Sequence, residues 1–281
     1  MLPVLFHVGD TAVPTYYLLM VLGFAGAWGL ALHLGPGFGL TRRQVVDAAV
    51  AATVWGTLGG KLGHCLLEAE GHLLPDGGVT DGVWDLMSAD PWHWARLFDG
   101  GYVWYGGLLL ATAVLWVRSR GGRVDRAALA DTAAPGVAFG ILVGRVGCFL
   151  GGCCYGSETE VAWAVRFPSG AASELGAIHP VQLYDATFGL LLLALLLWRA
   201  PRRRFAGELF ALLMVIYPAV RLVMELFRGD AERQLYLGGA LSTSQLISLA
   251  ILPASVYFLV QGYRGRLSRR GASPPASGGK G

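Results

Sequence analysis

The chain has 281 residues, 54% hydrophobic and only 15% charged, where an ordinary soluble domain carries about 25% charged residues. With a mean hydropathy of +0.51 and no hydrophilic block long enough to fold alone, it reads as a single membrane domain and not as two soluble ones. The net charge of +3 is too small for the basic footprint of a nucleic-acid binder, and no nucleic acid is expected as a partner.

Apolar runs of roughly twenty residues predict membrane-spanning helices. The first covers 13–34; no basic residue and no cleavage site mark it as a removable signal, so it is expected to stay. Arg42 and Arg43 follow, then a run over 45–67 that contains Lys61, His64 and Cys65. Residues 68–99, with Trp84, Trp92 and Trp94 among acids, suit an interfacial element outside the membrane. The third run, 102–117, is short and ends at Arg118, Arg120, Arg123 and Arg126. The fourth, 130–151, carries Arg145 and Cys148 and leads into Cys153 and Cys154. A second short run, 183–198, precedes Arg199, Arg202, Arg203 and Arg204. The ends of both short runs should extend into their flanks.

The sixth run, 207–227, holds Arg221 and, four residues on, Glu225; the seventh is 242–262. The tail from Ser268, rich in Gly, Pro and Ser, is expected to be disordered. The expected organisation is therefore one all-α integral membrane domain over 1–267, of about seven transmembrane helices, and a tail over 268–281. Basic residues crowd alternate connections and the tail, while Arg96, Arg166, Arg228 and Arg233 are the basic residues of the other three. That alternation predicts an outside N-terminus and a cytoplasmic C-terminus; the basic side would face anionic lipid headgroups.

Three basic residues remain inside apolar runs: Lys61, Arg145 and Arg221. Each costs about 2.5–3.5 kcal/mol at mid-span and normally faces a partner or a wet cavity. A structural ion pair is the simple explanation, and Arg221 with Glu225 has the spacing for one. Two converging arginines would instead make a forked anion site, since guanidinium stays charged and matches phosphate oxygens in pairs. The phosphate that a membrane supplies in abundance is that of a phospholipid.

Six blocks, in order, carry a resemblance: TYYLLMVLGF (15–24), GGKLGH (59–64), FDGGYVWYGGL (98–108), GRVGCFLGGCCYG (144–156), HPVQLYD (179–185) and YPAVRLVMELFRGD (217–230). Together the blocks resemble the prolipoprotein diacylglyceryl transferase family. These are multi-pass enzymes of the bacterial plasma (inner) membrane that move diacylglyceryl from phosphatidylglycerol to the lipobox cysteine thiol of a prolipoprotein signal peptide. The resemblance implies phosphatidylglycerol, that peptide and membrane lipids as partners, and no metal or organic cofactor. It implies that Arg145 and Arg221 are catalytic and handle the phosphate and its developing charge. Tyr17, Lys61, Gly156, His179, Gln182 and Tyr217 fall on substrate-binding positions, Lys61 standing where the family usually has arginine.

Asp185 stands for the glutamate that ends the family's HPxQLY block, and three departures are more serious. Tyr105 replaces the family histidine proposed as base on the acceptor thiol, and Cys148 and Cys153 replace an asparagine and a glutamate of the central motif. A tyrosine with a pKa near 10, against about 6.5 for histidine, is a poor base at neutral pH but a good hydrogen-bond donor. Tyr105 and Tyr217 are therefore expected to orient donor or acceptor, and Cys148 and Cys153 to line the site. His64 is the residue offered as a substitute base.

Cys148, Cys153 and Cys154 leave four readings open: inert packing, a nucleophile activated by Arg145, a Cys148–Cys153 disulfide, or a metal site completed by His179. The rivals to the family reaction are a related transferase working through a cysteine intermediate, and a non-catalytic lipid-binding or redox-sensing protein.

Overall fold

The computed structural model describes residues 4–8, 11–67, 104–122, 124–168, 173, 175–229, 235–236 and 241–271. These form two compact units, one of residues 1–39 with 127–281 and one of residues 40–126. The element expected over 68–99 lies outside the described residues.

In the larger unit, β1 (Val4–Val8) pairs antiparallel with β2 (Thr11–Pro14) and leads into α1 (Thr15–Leu34). A turn of 3₁₀ helix, Gly35–Phe38, ends it, and Gly39 takes a positive φ of 88° that closes the turn onto the carbonyls of Gly35 and Pro36. In the smaller unit, α2 (Arg42–Leu67) starts from a reciprocal cap. Thr41 Oγ1 accepts from the Gln44 amide at 3.2 Å and Gln44 Oε1 accepts from the Thr41 amide at 2.8 Å, which satisfies two otherwise orphaned donors. α3 (Trp104–Arg118) packs on α2 with backbones touching. A Cβ on Gly59 would stand 2.4 Å from the Gly106 carbonyl oxygen, and one on Gly107 2.7 Å from that of Gly56. Small residues permit this approach where lipid offers no hydrophobic drive.

The larger unit continues with α4 (Arg126–Gly151), α5 (Val181–Arg199), α6 (Glu208–Met224), a short ribbon of β3 (Leu235–Tyr236) with β4 (Leu241–Ser242), and α7 (Thr243–Gly271). Its core joins Ala134 and Ala138 of α4, Leu192, Leu193 and Leu196 of α5, and Leu209 and Leu213 of α6, with Leu30 and Leu34 of α1 against them. One end of this bundle is tied by buried acids. Asp131 accepts from the amides of Gly207 and Phe210 at the start of α6 and pairs with Arg203 at 2.8 Å. Glu208 accepts from Arg199, Tyr263 and the Arg204 amide.

Five helices are long and apolar enough to cross a membrane among the described residues: Thr15–Phe38, Arg126–Gly151, Val181–Arg202, Glu208–Phe227 and Thr243–Gly265. They leave large apolar side chains uncovered, among them Val21, Leu191 and Tyr257 at 59%, 63% and 67% exposure. A water-soluble surface would not carry such a belt; hydrocarbon accepts it. The short fifth run does extend, to 22 residues. α3, at 15 residues, spans about 22 Å against the roughly 30 Å of a bilayer core. α2 is long but interrupted by Arg43, Gln44, Asp47 and Lys61. α7 runs to Gly271, into the segment expected to be a tail; 272–281 lie outside the described residues.

Candidate functional site

At the other end of the bundle from Asp131, α4 stops in a defined way. Gly152 adopts φ 75° and the Cys153 amide returns to the Cys148 carbonyl at 3.1 Å, the bonding of a glycine-closed helix terminus. Cys154 also has a positive φ, 57°. For a side chain other than Gly or Asn this conformation costs on the order of 1–3 kcal/mol, and such strain concentrates at working sites. The turn is clamped from α5, where the buried Gln182 donates Nε2–H to the Cys153 carbonyl at 2.8 Å.

The residues after this turn form a small cap beyond the end of α4. Val165 and Ile178 exchange backbone hydrogen bonds, and Phe167 and Ile178 pack with Phe149 and Tyr155. Gly156 sits where a Cβ would be 2.4 Å from the His179 carbonyl oxygen, so this position needs glycine for packing. The His179 ring edges onto Phe227 and Tyr184, its Nδ1 lies 3.2 Å from the Tyr184 hydroxyl, and that hydroxyl accepts from the Trp163 indole at 2.6 Å.

Below the cap the two arginines converge on one carboxylate. Arg145 Nε is 3.1 Å from Asp185 Oδ2, and Arg221 Nη1 is 3.6 Å from the same oxygen. Arg221 Nη2 also pairs with Glu225 Oε2 at 2.8 Å, the expected i,i+4 pair, and Glu225 accepts from Ser244 Oγ at 2.9 Å. The side chains are enclosed, at 19% exposure for Arg145, 8% for Arg221 and 7% for Asp185. Even so, Arg221 Nη1, Asp185 Oδ2 and Gln182 Oε1 lack an aligned hydrogen-bond partner among the described residues. Buried polar atoms are nearly always satisfied; Arg221 Nη1 and Asp185 Oδ2 face each other as an ion pair, while Gln182 Oε1 has no partner among the described residues. Tyr217 and Cys148 lie within electrostatic reach of Arg145, and Tyr16 is within reach of Arg145 and the three thiols.

Cys148, Cys153 and Cys154 are free thiols, so the disulfide reading is not the state seen. Outside the membrane span, hydrogen bonding with Cys148 and Cys153, aided by Arg145 and Arg228, holds the Cys154 thiol well below the usual range. The same bonding raises Cys153.

The profile of the prolipoprotein diacylglyceryl transferase family matches residues 3–261. The chain belongs to the prolipoprotein diacylglyceryl transferase family. Its relatives agree: a phosphatidylglycerol–prolipoprotein diacylglyceryl transferase of Vibrio vulnificus is 34% identical over 267 residues, covering 93% of this chain and 92% of that protein. The enzyme of the same name from Mannheimia succiniciproducens is 31% identical over 268 residues, covering 94% of each. That of Vibrio cholerae is 33% identical over 267 residues, covering 93% and 92%.

Among the residues singled out for the transferase reaction, Arg145, Arg221, Tyr217, Cys148, Cys153 and Gln182 gather around this end of the bundle. His179 lies with Trp163, Tyr184 and Phe227. The Tyr17 ring stands edge-on to that of Tyr16, with centroids 6.1 Å apart. Lys61 is buried on α2 of the smaller unit. The side chains of Tyr105, His64 and Cys65 lie outside the described ones. Sequence reasoning missed Asp185 as the bridge between the arginines, and Tyr16 as the tyrosine reaching the thiols. The signal for Asp185 is the face formed by Val181, Gln182, Asp185, Ala186 and Gly189, all buried: two polar residues three apart on an apolar helix.

Proposed function

We propose that the chain transfers a diacylglyceryl group from phosphatidylglycerol to the lipobox cysteine thiol of a prolipoprotein. The observation that carries this reading is the convergence of Arg145 and Arg221 on one buried oxygen of Asp185. Two guanidiniums held this way form a fork matched to phosphate oxygens, and Arg221 Nη1 has a donor left to give. In the reaction the acceptor sulfur bonds to the glyceryl carbon, the carbon–oxygen bond to phosphate breaks, glycerol phosphate leaves, and the thiol proton passes to solvent or to the released phosphate. Arg145 and Arg221 oppose the charge that gathers on the departing phosphate, and placed donors of this kind are worth about 10²–10³ in rate. Tyr217 orients the donor, and Cys148 and Cys153 line its place. By family correspondence Tyr105, Tyr17, Lys61, Gly156, His179 and Gln182 serve donor or acceptor. No cofactor enters these steps.

The same reading gives the chain seven spans in a bacterial inner membrane, N-terminus outside. Support comes from the alternation of basic connections and from the five apolar helices of the larger unit. The test is transfer from labelled phosphatidylglycerol to a lipobox peptide by purified protein in detergent, with Arg145→Ala beside it. Transfer that falls at least ~100-fold in the variant is expected. Equal transfer by both would sink the assignment of Arg145, and labelled lipid bound without any transfer would favour the non-catalytic rival.

A further inference from the structure

We propose that Cys148, Cys153 and Cys154 form a three-thiolate site for a zinc-class divalent metal ion. Their sulfur atoms all lie within 4.8 Å of one another. A metal–sulfur bond of about 2.3 Å in tetrahedral geometry sets neighbouring sulfurs roughly 3.8 Å apart, so small side-chain rotations close the site.

The backbone builds this cluster. Gly152 reverses the chain at the end of α4, the Cys153 amide bonds to the Cys148 carbonyl at 3.1 Å, and Gln182 holds the Cys153 carbonyl from α5. The positive φ of Cys154 lets two adjacent cysteines both reach Cys148. Without that turn, consecutive side chains diverge. The spacing C-x₄-C-C differs from the usual C-x₂-C because the helix terminus, and not a loop knuckle, presents the ligands.

Charge favours an anionic complex. A divalent ion with three thiolates carries one net negative charge, and Arg145 and Arg228 lie within electrostatic reach of Cys154. Metal binding requires deprotonated sulfur; each thiol still protonated releases its proton to solvent as its metal bond forms. Cys153 is exposed and provides the entry path. His179 is engaged with Tyr184 and Phe227, so the fourth coordination position is left for a water or an exogenous ligand.

The experiment titrates reduced, full-length protein in detergent with Cd²⁺ and then back-titrates with Zn²⁺. A sulfur-to-cadmium charge-transfer band that saturates at one ion per chain and is reversed by zinc is expected. Cys148→Ser, Cys153→Ser and Cys154→Ser should each weaken binding by at least ~10-fold, as expected for loss of one thiolate ligand, while Cys65→Ser keeps it. A second readout needs no variant: zinc should protect Cys148, Cys153 and Cys154 of the wild-type chain from maleimide, as mapped by mass spectrometry. No band from fully reduced protein, a band that survives loss of any one of the three, or equal labelling with and without zinc would each overturn the proposal.

Discussion

Asp185 does two jobs that pull in opposite directions. Its carboxylate faces Arg145 and, together with Glu225, Arg221 in a low-dielectric bundle, and its Oδ2 occupies the point where both arginines aim. Removing one member of a buried ionic group costs about 3–5 kcal/mol, because the charge left behind has no partner. Asp185→Asn is therefore expected to lower the melting temperature of the purified protein. In the proposed reaction the lipid phosphate supplies the missing anion, so phosphatidylglycerol should recover more stability in Asp185→Asn than it adds to wild type. Equal lipid-induced shifts in the two proteins would show that lipid phosphate and Asp185 do not share the arginines. Conservative exchange should fail at Arg221 also. Arg221→Lys keeps one charge but cannot contact Glu225 and Asp185 from two nitrogens, and transfer is expected to fall at least ~10-fold.

At the scale of elements, the site depends on how helices end and how closely they pass. The terminus of α4 is set by Gly152 and gripped by Gln182 from α5, so a change in the packing of α4 on α5 reaches the thiols and Arg145 together. The two helices touch at Gly189, where a Cβ would stand 2.9 Å from the Leu142 amide nitrogen. In the smaller unit, Gly59 and Gly106 leave no room for a side chain between α2 and α3. Gly106→Val should force the helices apart and cost about 1–3 kcal/mol, read as a lower melting temperature; an unchanged melt would contradict the close crossing. Much of this was legible in advance. Both arginines, the Arg221–Glu225 pair and the glycine-rich motifs stand out in the chain because polar and tiny residues are conspicuous inside apolar runs. The role of Asp185 was not, because a carboxylate at the start of a helix reads equally well as a solvated end.

For the molecule as a whole, the two ends of the larger unit are built differently. One end is locked by Asp131 and Glu208, each with several aligned partners. The other sets the Arg145–Asp185–Arg221 ion pairs, and a Gln182 Oε1 without a partner among the described residues, beside a strained turn. A fully satisfied buried network rigidifies its end of the bundle, and an unpaired buried polar group is costly. In the proposed orientation the locked end, near the basic connections, faces the cytoplasm and the arginine end faces outward. Reporter fusions should then give a cytoplasmic signal after residue 204 and an external one after residue 160; the reverse pattern would invert the proposed topology.

By itself the amino-acid sequence determined the membrane class, the helices and their approximate limits, and the family, because burial in hydrocarbon writes long apolar runs and leaves functional charges isolated within them. Tertiary structure alone decided that the two arginines share one carboxylate, that Tyr16 lies within electrostatic reach of the thiols, and that three cysteines meet at one helix terminus. These are relations between α1, α4, α5 and α6, set by crossing angles and by a single reversal at Gly152. Spacing along a chain does not encode distance between helices.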